Sequence, residues 1–133
     1  MSPDYRNLHM SKQLPRKTKN ESYNDLRYAI VVQAVKDYVW AREYVRNRKK
    51  EYNQFMDMYP DKTNVPNSVK HRIRTYEIAQ WMVPECEMFF RSWWFESLAP
   101  DYNGEEVINR LRRTSSKVLK QRLNNVIKEE EEC

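Results

Sequence analysis

The chain has 133 residues, 24 Lys and Arg against 19 Asp and Glu for a formal charge of +5, one glycine and two cysteines. A single glycine is too few for the tight hairpins of an all-β fold or for the phosphate-cradling loop of a nucleotide-binding α/β fold, and two cysteines make no disulfide framework. No run of about 18 apolar residues occurs and the first residues carry no apolar signal region, so the expectation is a soluble, cytoplasmic, single-domain all-α protein with no membrane segment.

Residues 1–21 hold Pro3, Pro15, Lys12, Arg16, Lys17 and Lys19, with Leu8, Met10 and Leu14 isolated among polar neighbours. So little to bury predicts a disordered basic arm, with a helical domain over 22–128 to follow. Ser22 reads as the N-cap of a helix running to about Met58, with Asp25 favouring its N-terminus. Leu26, Ile30, Ala34, Tyr38, Ala41, Tyr44, Val45, Tyr52 and Phe55 form its apolar stripe. Asp37 falls inside that stripe, and a buried carboxylate needs a cation. Arg48 and Arg91 are the candidates, and an Asp37–Arg91 ion pair is the favoured one.

Pro60, Asp61, Asn64, Pro66 and Asn67 mark a reversing connection, after which Ser68 can cap a second helix carrying Val69, Ile73, Tyr76 and Ala79. Pro84 either kinks this helix or starts another, and the shared phase of Glu77, Trp81, Met88 and Phe95 favours a kink. The segment from Met88 to Phe95 concentrates the apolar mass of the chain, and its rings are expected at the centre of the fold. Phe89, Phe90, Trp93, Trp94 and Phe95 are candidate core or self-association residues, while Glu85, Ser92 and Glu96 would make a polar strip. Ala99 to Gly104 is a second connection; Asn103 can cap a third helix, with Glu106 as its capping-box partner and a loosening at Thr114 to Ser116. Residues 129–133 begin with four glutamates, poorly placed at a helix C-terminus, and read as a frayed acidic tail. The fold expected is a bundle of three long helices, four if Pro84 divides the second.

No arrangement suited to nucleophilic or acid–base catalysis emerges. His9 lies in the arm and His71 between Lys70 and Arg72, neither with a nucleophile or carboxylate at supporting spacing. Cys86 and Cys133 are far apart in sequence and no His/Cys pair has metal-ligand spacing, so no metal and no cofactor is expected. Basic residues give the stronger signal. Without the four glutamates the chain carries +9 over 1–128, and the cations cluster: Arg42, Arg46, Arg48, Lys49 and Lys50 on the first helix, Lys70, Arg72 and Arg74 on the second, Arg110, Arg112, Arg113, Lys117, Lys120 and Arg122 on the third. If these faces adjoin they make a surface for nucleic acid or for an acidic protein. The bland reading is a set of solvated helix faces. Four Trp, nine Tyr and four Phe mostly fill the stripes, but Trp81, Trp93 and Trp94 exceed what two helices can cover, and Trp, Tyr and Arg dominate protein interfaces.

Three segments carry a resemblance: Tyr23 to Tyr38, Phe89 to Leu98 with its Phe89-Phe90-Arg91-Ser92-Trp93-Trp94-Phe95 motif, and Gly104 to Leu111. Over 23–113 the chain resembles a family of small, largely uncharacterised proteins of phages and integrative elements of Gram-positive bacteria. Pro84, the stretch from Asn47 to Val69 and the tail after Arg113 depart from the family pattern. The resemblance implies no catalytic residues. It implies a mobile-element setting, in which small basic helical proteins handle nucleic acid or block host machinery, as anti-CRISPR inhibitors do. The function expected is therefore non-enzymatic docking onto a host or phage nucleic-acid-handling protein, with direct DNA or RNA binding as the alternative and homodimerisation through Trp93 and Trp94 as a further expectation.

Overall fold

A computed structural model describes residues 19–61 and 63–132. The described residues form five helices, α1 Lys19–Met58, α2 Asn67–Phe90, α3 Trp93–Leu98, α4 Gly104–Leu111 and α5 Ser116–Glu132. The protein is all-α, but the expected three-helix bundle divides further. Breaks fall at residues 91–92 and 112–115, whereas α2 continues through Pro84.

α1 persists for 40 residues because neither Gly nor Pro interrupts it, and it stops where Pro60 excludes helical geometry at Tyr59. It begins at Lys19, so Ser22 lies within the helix and is not its cap. Asn64 makes the left-handed turn of the reversal, with φ 56°. Pro66 supplies extended geometry ahead of α2 with no side-chain cap, which places Ser68 inside the helix as well. α1 and α2 then pack as a long antiparallel hairpin, with Tyr52 stacked on Tyr76 at 4.2 Å between ring centroids.

Ser92 decides the first break. Its hydroxyl donates to the Phe89 carbonyl at 2.6 Å, closing α2, and accepts the Phe95 N–H at 3.2 Å, opening α3. It is a hinge between two helices and not part of a polar strip with Glu85 and Glu96. The turn carries Phe90 and Phe95 into the core beside Tyr38, Val39, Ile108 and Leu111. Phe90 and Phe95 meet edge to face at 5.3 Å, and Tyr38 meets Phe90 edge to face at 5.9 Å.

Asn103 caps α4 as expected, its side-chain oxygen accepting the Glu106 N–H at 3.2 Å. The one glycine of the chain opens α4 at Gly104, and its place is set by a close approach. A Cβ there would run into the carbonyl oxygen of Phe90, so the start of α4 abuts the end of α2 only because this residue has no side chain. α5 is capped from a distance. Glu43 of α1 accepts both the backbone N–H (2.7 Å) and the hydroxyl (2.6 Å) of Ser116, and Ser115 accepts the Val118 N–H at 3.1 Å. The helical backbone of α5 reaches Glu132, so the glutamates expected as a frayed tail continue the helix; residues 1–18 of the expected arm lie outside the described residues.

Candidate functional site

The aromatic run is split between interior and surface. Phe90 and Phe95 are buried and Phe89 is half-buried against them, but Trp93 is 77% exposed and Trp94 47% exposed. Trp81, also on the outside, is 51% exposed, and Met88 stands out from the end of α2. The expected central position thus holds for the phenylalanines and fails for the tryptophans. With the helix broken at Ser92, the six residues of α3 turn Phe95 and Leu98 inward and leave Trp93 facing solvent. Trp94 keeps one edge-to-face contact, with Phe89 at 5.5 Å.

A polar network joins α1, α2 and α4, the last through Glu105 and through Arg112 at its C-terminal end. The hydroxyl of the buried Tyr38 donates to Glu87 at 2.6 Å; Arg112 donates to Glu87 at 3.1 Å and to the Tyr38 oxygen at 3.3 Å. Arg91 lies 3.7 Å from the other Glu87 oxygen and pairs with Glu105. This corrects the expected Asp37–Arg91 bridge: Arg91 pairs with Glu87 and Glu105, while Asp37 accepts from Gln33 one turn before it at 2.9 Å. The other candidate, Arg48, pairs with Glu51 at 3.2 Å. Helical phase shows which residues share a face but not which neighbour that face meets.

Electrostatics follow from the geometry. Burial pushes the Glu87 carboxyl up, but hydrogen bonds from Tyr38 and Arg112 and the charges of Arg112 and Arg91 outweigh it and hold the group below the usual carboxylate range. Burial and the hydrogen bond to Glu87 raise Tyr38, keeping it a neutral phenol. Glu43 is lowered by its two hydrogen bonds from Ser116. Burial, with Asp37 and the glutamates nearby, pushes the Cys86 thiol up to about 12, so it packs against the core as a small apolar residue. The network therefore consists of settled ions and a settled phenol that clamp three helices together. Among the described residues, no three His, Cys, Asp or Glu side chains gather to hold a metal ion.

The cations are spread over α1, α2, α4 and α5, and several of them are held by carboxylates. Arg48 and Arg72 both converge on Glu51, at 3.2 and 3.6 Å, on the side of α1 that meets α2. Lys49, Lys50, Lys70 and Arg74 are exposed on these same two helices. A second group collects where α1 meets α4 and α5. Arg42 sits over the Tyr38 ring at 5.8 Å, Arg112 reaches the same tyrosine, and Arg46 acts on Glu43, which holds the start of α5 beside Lys117. Arg110, Arg113, Lys120 and Arg122 are exposed on α4, the turn after it and α5. Arg112, Arg48 and Arg72 are engaged by carboxylates, which removes them from any simple tally of phosphate ligands.

The fold and this surface define a class, a small all-α protein built on a long helical hairpin with a short helical corner, of which no described helix is long and apolar enough to cross a membrane. Comparison with protein-family models, with curated proteins and with solved structures gave no match.

Proposed function

We propose that the chain is a non-enzymatic binding protein of a phage or mobile element, which docks onto a nucleic-acid-handling protein of its host and inhibits it, in the manner of an anti-CRISPR protein acting on a CRISPR effector. The observation that carries the docking reading is the exposure of Trp93 and Trp94 on α3, beside phenylalanines that the core has taken in. Large rings left in water are the residue type that dominates protein interface hot spots. The mobile-element setting comes from the resemblance in the aromatic motif and its flanking segments.

A tagged chain should recover one stoichiometric partner from host lysate, and a Trp93→Ser, Trp94→Ser double variant with unchanged circular dichroism should lose it. Recovery that is indifferent to both tryptophans would remove this reading. Direct DNA or RNA binding remains the second reading, favoured by the gathering of Arg42, Arg46 and Lys117 at the junction of α1 with α5. It requires a mobility shift that weakens with salt and with charge reversal at Arg110 and Arg113; no shift at low salt would exclude it.

A further inference from the structure

The 24-residue α2 packs against the C-terminal half of the 40-residue α1, as the Tyr38–Glu87 and Tyr52–Glu77 hydrogen bonds show. The N-terminal half of α1 runs past the end of α2, and there α3 and the loop after it form the opposite wall of an open groove of ≈ 450 Å³. Val31, Val32 and Val35 line one wall; Leu98, Pro100 and Tyr102 line the other. The α1 wall draws on positions 24, 27, 28, 31, 32 and 35, one helical face extending for about 16 Å at 1.5 Å per residue. A trough of that length with apolar walls matches an amphipathic helix laid in a groove. It offers little to a nucleic acid backbone.

Arg27 supplies the sign of the occupant. Its Nε is buried on the groove wall without a hydrogen-bond acceptor among the described residues, and its guanidinium carbon lies 5.6 Å from the centre of the Tyr23 ring. That nitrogen is closed to solvent, but the half-buried Arg27 side chain lines the groove and sets a positive charge on the α1 wall. It favours an occupant that brings a carboxylate to this wall by charge complementarity, while Asp101 on the loop wall repels the same group from the other side.

We propose that this groove docks an amphipathic helix of a partner protein, its apolar face between α1 and α3 and an acidic residue against Arg27. The proposal rests on the docking reading above and adds the chemistry of the partner. The test is a methyl NMR titration of the full chain with a synthetic helical peptide of about four turns, bearing leucines along one face and one flanking glutamate, and with its Glu-to-Lys counterpart. Saturable shifts at the Val31, Val32 and Val35 methyls are expected with the acidic peptide and about tenfold weaker binding with the basic one. Arg27→Gln, a change between two good helix formers, should abolish the difference, while Arg110→Gln should preserve it. Absence of shifts, shifts scattered elsewhere, or equal binding of the two peptides would overturn the proposal. Those outcomes leave the tryptophan reading to its own test, because the variants used there do not touch Arg27.

Discussion

The hairpin and the corner bury aromatic rings in two different ways. Along α1 and α2 the rings recur at helical spacing, and two helices side by side suffice to stack Tyr52 on Tyr76. At the corner the rings are consecutive, and no straight helix can turn all of them toward one neighbour. The chain bends at Ser92, gains Phe90 and Phe95 for the core, and leaves Trp93 outside. Spacing sets how much of an aromatic segment a helix pair can hide, and the remainder becomes surface.

The comparison is broken most severely at Phe90. It touches Tyr38, Phe89 and Phe95, and Phe90→Ala should cost about 3–5 kcal/mol in chemical denaturation. Gly104→Ala should follow, at about 3 kcal/mol, because the new methyl meets backbone at Phe90 and not a side chain that can turn aside. A loss below about 0.5 kcal/mol would mean that α4 does not sit against the end of α2.

Glu87→Gln sharpens the contrast through pH. Since Glu87 is held below the usual carboxylate range when folded, its stabilisation is fully present above the unfolded value and is lost as pH falls through the lower folded one. The wild type should exceed the variant by about 1–2 kcal/mol at neutral pH, and the gap should close below about pH 4. A gap that persists in acid would assign the effect to packing. Trp93→Ala is the smallest, within about 0.5 kcal/mol of wild type, since its ring is mostly in water. A larger loss would return that ring to the core.

Much of the helical content was legible in the sequence, because uninterrupted helix formers, Pro60 and the Asn103 cap act through local geometry. The break inside the aromatic run was less so. Its one sign was Ser92, a capping residue type set among rings, and it was outweighed there by the apparent continuity of the apolar phase. The polar network was missed for another reason. Tyr38 and Glu87 are 49 positions apart, and Glu43 and Ser116 are 73 apart, so no periodicity links them. Arg27 lay on the α1 face without any mark to distinguish it.

By itself the sequence determined an all-α chain, a long first helix, the connections at Pro60 to Asn67 and Ala99 to Gly104, and a net positive charge. These follow from backbone propensity, proline and glycine placement and charge, which operate within a few residues. Only the tertiary structure decided which rings are buried, which carboxylate each arginine meets, and that the single glycine admits α4 to the end of α2. Burial and ion pairing depend on which distant faces are brought together, and that is settled when the helices pack.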